Sequence, residues 1–591
     1  MLKTALASPG SVLETQWAGP RALAFALALL SGLVLARLVT GFFWDVPLSI
    51  DEAQYAVWAR ELQPGYFSKP PVIAWAIAAS TGLCGDESAT CVRMLQPLAL
   101  AGAALGVMAT AWQLWQSRAI ALWAAAIFLS LPLVSFYSQI ATTDGWFLLW
   151  WSWSLWALVF SLRLGLGRNK DGLEELGWVM VGLFAGLGLM TKYSMGVFVL
   201  TAILCLFIVR RLYLVGPLLG LFVTLLVISP NLFWNAEWGY PTLAHTADIS
   251  RVGQDTGLHP GNLLGFWLSQ FLVMGPLVMT TFFVFTAQMV MRRVFHLPWV
   301  RDNGLLFSLA AIWPFFLVIS LQSLTGKVEA NWAAPAAVGL SLLVARLWCC
   351  APMAMFGKSV FQRLVSQVWL PLSLLLHLGF VLAVLLMPWG LERFGLAGHA
   401  GSDPRLKFQQ LTAISQLVED EVVHALKTKK EAPPILVASD DRHFLAMLDY
   451  ELGSKQATLN HEAGFQGVWY LPRNLAEDAQ ARHHWSLQKD LRGQQGEWRI
   501  LYVYKDSGPS PRDLPFENSG QSYKGQRLDL LDGPTTRPAL RNGLDTITLV
   551  EEPERQIRAA WVRLKVLAID DPSRVARPHA DGATAKVKAP D

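Results

Sequence analysis

The chain has 591 residues, 53% of them hydrophobic and only 16% charged, with a formal net charge of +4. Asp, Glu, Lys and Arg number 39 in residues 1–400 and 53 in residues 401–591, so the charge density passes from that of a membrane protein to that of a soluble domain. This excludes a single soluble enzyme and a disordered or fibrous chain, and the small net charge without a Lys/Arg block gives nucleic-acid binding no support.

Residues 1–21 lack the apolar core and small-residue cleavage site of a signal peptide, so this segment is expected to stay as a cytoplasmic N-terminus. Crossing hydrocarbon about 30 Å thick takes about 20 apolar residues. Eleven stretches are candidates: 22–43, 93–116, 119–137, 145–162, 177–191, 194–209, 212–230, 262–289, 304–323, 333–349 and 368–389. The fifth and sixth are short and joined by Thr-Lys-Tyr-Ser at 191–194. With the N-terminus in the cytoplasm, alternation puts fourteen Lys/Arg on the cytoplasmic side and six opposite, the asymmetry expected of a correct orientation. The expected fold is an α-helical polytopic membrane domain over 22–391, followed by a periplasmic α/β domain over 392–571 and a disordered tail at 572–591.

Two outer loops are too long for turns, 44–92 and 231–261, and long ordered loops are usually functional. The first reads as two short interfacial helices, IDEAQYAVWARELQ and PPVIAWAIAAS, the second opening with proline at a helix start. Cys84 and Cys91 share its polar end, where a disulfide is open to an extracytoplasmic loop. Cys205, Cys349 and Cys350 lie in or beside apolar runs and read as packing residues. In the tail, PILVASD, GVWYLP, WRILYVYKD, TITLVEE and RLKVLAI read as strands and DRHFLAMLDYEL as a helix.

The polar residues of the membrane half collect at the outer ends of the expected spans. They are Asp51 and Glu52; Tyr66 and Lys69; Asp144; Lys192 and Tyr193; Asn231, Trp234 and Asn235; and Lys327, Glu329, Asn331 and Trp332. Acids and lysines where helix ends meet suit binding of an anionic, lipid-linked group and activation of a nucleophile. Each also has a plain reading. Asp51 and Glu52 fit the first turn of a helix starting near Ser49. Lys69 fits a snorkelling lysine, Asp144 an N-cap, and Lys327 with Glu329 a local ion pair. Lys192, flanked by apolar runs, is the hardest to dismiss. FGKS at 356–359 lacks the first glycine of a phosphate-binding loop, with Pro352 in its place. Asp440 and Asp441 follow a strand, where a ligand site or a helix start fits equally.

DEAQYAVWARELQPGYFSKPPVIAW, followed by RMLQPLALAGAALG, ATTDGWFLLWW, GLGLMTKYSMG, PNLFWNAEWGY and GKVEANWAAPA, resembles the GT-C superfamily of lipid-linked-sugar glycosyltransferases over about residues 20–350. Within it the match is to the family 39-like group of bacterial aminoarabinose transferases and dolichyl-phosphate-mannose-protein mannosyltransferases. The resemblance implies transfer of a sugar from a polyprenyl-phosphate donor, with inversion, to an envelope acceptor on the periplasmic face of the inner membrane. It assigns Asp51 as catalytic base or acid, with Glu52 beside it and Asp144 as a second acid near the reaction centre. Lys69, Lys192 and Tyr66 fall to the donor phosphate, and Tyr193, Asn235, Lys327 and Glu329 to substrate contacts. A phosphate leaving group needs cations more than a proton donor, and an acceptor hydroxyl needs a base. The aminoarabinose transferases carry a metal-linked glutamate before the lysine-proline pair. Ser68 stands there, which argues against a divalent cofactor and against aminoarabinose as the sugar. An oligosaccharide ligase or polymerase is the rival enzyme, and a transporter or flippase of lipid-linked sugar the rival non-enzyme. A transporter predicts charges near the midplane and internal repeats, neither of which the sequence carries.

Overall fold

The computed structural model describes residues 13–14, 18–44, 46–164, 173–210, 214–250, 257–294, 302–351, 368–397, 403–428, 434–455, 464–472, 483–491, 494, 496–506, 521–523, 526–532, 546–551 and 556–568. The expected tail at 572–591 and the FGKS segment lie outside the described residues. The chain divides into two compact units, Met1–Gln409 and Gln410–Asp591.

The first unit is helical. In order, α1 is Pro20–Gly41, α2 Ile50–Ala59, α3 Val72–Cys84, α4 Ala89–Arg93, α5 Gln96–Trp115, α6 Arg118–Ser130, α7 Pro132–Tyr137 and α8 Thr143–Leu164. Then come α9 Leu173–Leu189, a 3₁₀ turn at Tyr193–Val197, α10 Phe198–Val209, α11 Val215–Glu237, α12 Pro241–Ser250, α13 Pro260–Val273 and α14 Pro276–Val294. The unit continues with α15 Asn303–Thr325, a 3₁₀ turn at Ala330–Ala333, α16 Ala336–Cys349, α17 Leu370–Leu385 and α18 Met387–Arg393. Two-residue strands β1 (Leu13–Glu14) and β2 (Cys350–Ala351) pair antiparallel.

Among the described residues five helices are long and apolar enough to cross a membrane, or seven if two bent pairs each count once. The other four expected spans are shorter helical pieces, among them α6 with 13 residues and α16 with 14. Burial explains the length of α6 and α16. In α16 every residue but Arg346 is buried, and a helix apolar all round sits in a core, where it need not meet both water surfaces. The expected single span 262–289 is two helices bent by 118°. Gly275 makes the break with φ +90, a backbone state that L residues avoid. Expected span 368–389 is likewise broken, by 72°.

Helices α9 and α11 pack through small residues: a Cβ on Gly182 would lie 2.3 Å from the Gly220 carbonyl oxygen, and one on Gly186 2.6 Å from Val227. Such close approach is how helices associate without a hydrophobic drive between them. It brings the loop after α9 beside the last turns of α11. Residues 231–237, expected in a loop, are helical and end α11.

The second unit carries a mixed sheet. Its strands are β3 (Ile435–Ser439), β4 (Phe465–Tyr470), β5 (Gly496–Asp506), β6 (Gln521–Tyr523), β7 (Gln526–Asp532), β8 (Thr546–Glu551) and β9 (Gln556–Ala568). The order is β4-β3-β5-β9-β7-β6, with β8 also on β9. Strand β3 lies parallel to β4 and β5 and is buried along its whole length, which suits its unbroken apolar run. Helices α19 (Leu406–Thr428), α20 (Arg442–Ser454) and α21 (His484–Gln488) accompany it. Leu411, Ile414, Val418, Val422 and Leu426 form the buried stripe of α19 at helical spacing.

Candidate active site

Helix α2 opens with a capping box: Ser49 accepts the Glu52 backbone N–H, and the Glu52 carboxylate accepts the Ser49 N–H at 2.9 Å. That is what Ser-x-x-Glu encodes. Here the glutamate does much more. It is 2% exposed, and its Oε1 accepts Arg93 Nε at 2.6 Å and the Ala141 N–H at 2.8 Å. Its Oε2 takes Arg93 Nη2 at 2.8 Å. Arg93 also donates to the carbonyls of Val46 and Pro47 and stacks on Trp44. Glu52 therefore ties the entry of α2, the end of α4 and the approach to α8 together, with every lone-pair direction engaged. Its carboxylate is fully engaged within the scaffold. Asp51, one position earlier on the same first turn, is exposed.

The α2 helix is not half-immersed, as its sequence pattern suggested. Glu52 to Trp58 are all buried. The loop after it closes on itself: Tyr66 is 1% exposed, stacks on Trp58 at 4.7 Å, and gives its hydroxyl to the carbonyls of Trp58 and Glu61. Burial pushes its phenol up to about 12. Tyr66, expected at the donor phosphate, thus gives its hydroxyl to holding the loop. Lys69 follows on the same turn, its carbonyl accepting the Tyr66 N–H, and its side chain is half-buried.

Helix α11 and the start of α12 clamp this loop. Asn231 donates to the Pro64 carbonyl at 2.8 Å, Trp234 to Gln63 Oε1 at 3.0 Å, and Thr242 to the Tyr66 carbonyl at 2.7 Å. Gly65 is required at the crossing, since a Cβ there would lie 2.5 Å from Trp234 and 2.7 Å from Asn231. Tyr193 donates to Asn231 Oδ1 at 2.6 Å and accepts from Asn235 at 3.0 Å. Tyr193 and Asn235, expected at substrate, are therefore parts of this clamp.

Asp144 lies within the first turn of α8, which starts at Thr143, so it is not the N-cap. The residue is 4% exposed; its Oδ1 takes Lys192 Nζ at 2.9 Å and its Oδ2 takes Asn331 at 3.1 Å. Lys192 also stands 5.9 Å over the Phe147 ring. Asp144, expected as a second acid, and Lys192, expected at the donor phosphate, form one ion pair. Lys327 and Glu329 are exposed and do not pair with each other. Asp51, Lys69 and the Asp144–Lys192 pair are joined through short links. Glu52 reaches Ala141, Gln96 on α5 donates to the Thr142 carbonyl, and the Val72 N–H after Lys69 bonds the Met190 carbonyl just before Lys192.

A divalent cation does not fit these residues. Where the resembling enzymes carry a glutamate, the Ser68 hydroxyl faces Gln54 Nε2 at 3.5 Å. No group of three His, Cys, Asp or Glu gathers among the described residues. Cys84 and Cys91 form a disulfide, closing α3 onto α4.

The comparisons agree with the resemblance to the family 39-like group of the GT-C superfamily. Residues 68–234 match the family described as dolichyl-phosphate-mannose-protein mannosyltransferase. A lipid A galacturonosyltransferase of Rhizobium johnstonii is 31% identical over 319 residues, covering 54% of this chain and 64% of that protein. An undecaprenyl phosphate-α-4-amino-4-deoxy-L-arabinose arabinosyl transferase of Pseudomonas aeruginosa is 28% identical over 237 residues, 36% of this chain and 38% of that one. The matches thus span less than two thirds of these relatives. The crystal structure of ArnT from Cupriavidus metallidurans bound to undecaprenyl phosphate superposes with a TM-score of 0.55 at 13% identity, covering 91% of this chain and 98% of that one. This likeness establishes the fold.

Proposed function

We propose that the protein is a membrane glycosyltransferase that moves a sugar from a polyprenyl-phosphate donor to an envelope glycolipid, with Asp51 as the base that activates the acceptor hydroxyl. The observation that carries this reading is the division of labour in the first loop. Glu52 is locked into the scaffold by Arg93 and two backbone N–H groups, while the neighbouring Asp51 in the same first turn of α2 stays exposed. A carboxylate so placed suits proton abstraction. Lys69 and Lys192 supply cations for a phosphate leaving group that already carries its charge, and attack opposite the phosphate inverts the sugar centre. Asp144 orients Lys192.

The name of the galacturonosyltransferase relative favours a lipid A-like acceptor, and that of the arabinosyl transferase an undecaprenyl-phosphate donor. The excess of basic residues in the expected cytoplasmic segments supports a cytoplasmic N-terminus, and the Cys84–Cys91 disulfide supports an oxidising, periplasmic side for the first loop. The same orientation assigns 392–571 to the periplasm in a bacterial inner membrane. Purified protein given labelled polyprenyl-phosphate sugar and an envelope lipid extract should release polyprenyl phosphate and label a glycolipid. Movement of the donor without carrier release would instead support a flippase. Acceptance only of a diphosphate-linked oligosaccharide would support a ligase.

A further inference from the structure

A buried carboxylate must have its oxygens answered, and four side chains answer Asp144. Lys192 Nζ meets Oδ1 at 2.9 Å; Asn331 Nδ2 meets Oδ2 at 3.1 Å, with Thr142 Oγ1 on the same oxygen at 3.4 Å. Tyr137, at the end of α7 and 5% exposed, hydrogen-bonds both Asp144 and Asn331. The head of α8 is fixed as well. Gln96 donates to the Thr142 carbonyl across Gly145, where a Cβ would lie 2.3 Å from Gln96 Nε2. Asn331 is not needed to place its own turn. Gln270 on α13, fully buried, donates to the Ala330 carbonyl at 3.0 Å, and Asn262 to the Gly326 carbonyl at 3.1 Å. The turn therefore presents the Asn331 amide to Asp144, rather than depending on Asp144 for its own position.

A lysine is a point charge on a flexible stem, so its use at a phosphate depends on what aims it. Asp144 takes one of the three N–H groups of Lys192, whose side chain is 20% exposed against 5% for that of Asp144. A carboxylate answered by Lys192 alone could rotate and would draw the whole ammonium charge onto itself. Donors from Asn331 and Tyr137 share that negative charge and hold Oδ1 towards Lys192 through charge-assisted hydrogen bonds. We propose that Asn331 and Tyr137 are positioning residues for the donor phosphate, acting through Asp144 to keep the Lys192 ammonium aimed and available to an oxyanion. The inference rests on the reading of Lys192 as a donor-phosphate contact. It extends that site to α7 and to the turn after α15, two elements distant in sequence from the first loop.

The test is equilibrium binding of labelled undecaprenyl phosphate to the purified full chain in detergent, run as a double-mutant cycle with Lys192→Gln. Asn331→Ala should weaken binding about tenfold, the scale of one hydrogen bond to a charged group. Asn331→Asp sets a second carboxylate against Asp144 and should weaken it at least as much. Tyr137→Phe keeps the ring and its packing, and should weaken binding in the same direction even if the Asn331 variants fold poorly. In the Lys192→Gln background each change should add less than about twofold, because the group through which it acts is gone. A residue that only supports the fold would add its full loss in either background, and that additivity would overturn the proposal. Wild-type affinity in Asn331→Ala, Asn331→Asp and Tyr137→Phe, with weak binding by Lys192→Gln, would overturn it too while leaving Lys192 at the phosphate. Wild-type affinity in Lys192→Gln would overturn the reading of Lys192 itself, and the proposal with it.

Discussion

Glu52→Gln removes one charge and no volume, and the structure says where the cost falls. Oε1 accepts two donors, Arg93 Nε and the Ala141 N–H; Oε2 accepts two more, the Ser49 N–H and Arg93 Nη2. Whichever way the amide is turned, its NH₂ faces two N–H groups, and Arg93 is left buried without its counter-charge. Removing one partner of a buried, hydrogen-bonded ion pair costs about 3–5 kcal/mol. Asp51→Asn, at an exposed position one residue earlier, should change stability by no more than about 0.5 kcal/mol. Thermal and denaturant unfolding of the purified variants, followed by tryptophan fluorescence, reads the difference directly. Pairing Glu52→Gln with Arg93→Met should recover part of the loss, because no buried charge is then orphaned. The reasoning fails if Glu52→Gln unfolds with wild type while Asp51→Asn is the destabilised variant.

Gly65→Ala should destabilise the first loop by about 1–3 kcal/mol, the usual cost of forcing atoms into a filled site, read as faster proteolysis of 60–70 with α11 intact. Lys192→Gln and Asp144→Asn act on one ion pair, so their effects on transfer rate should be non-additive by about 0.5–3 kcal/mol in a double-mutant cycle; simple additivity would separate them. In the second unit His484 is buried, and burial followed by the charge of Lys489 lowers its imidazolium to about 3. Its contribution to stability is fully present above the unfolded histidine value of about 6.5 and falls as pH drops towards the folded value, by up to about 1.4 kcal/mol per pH unit. His484→Gln should flatten that part of the pH–stability curve, as measured by urea unfolding of the full chain between pH 4 and 7.

Much of this was legible in the sequence because it rests on local patterns. Ser49-x-x-Glu52 encodes a capping box, apolar runs encode helices, and Ile435–Ala438 reads as a buried strand. What stayed hidden depends on partners distant in the chain. Nothing near Glu52 signals Arg93 or Ala141, 41 and 89 residues away. Nothing near Asp144 signals Lys192 or Asn331. Tyr66 and Tyr193 read as ligands because a polar tip near a helix end looks the same whether it meets substrate or a neighbouring carbonyl. The break at Gly275 was hidden because glycine is common inside membrane helices.

The central claim is that Asp51, not Glu52, activates the acceptor. The most direct measurement is single-turnover transfer from labelled polyprenyl-phosphate sugar to lipid acceptor by purified Asp51→Asn, with donor binding measured on the same sample. A general base contributes about 10²–10⁴-fold, so the rate should fall by that order while donor affinity and unfolding midpoint stay at wild type. Transfer by Asp51→Asn at a near-wild-type rate would contradict the account.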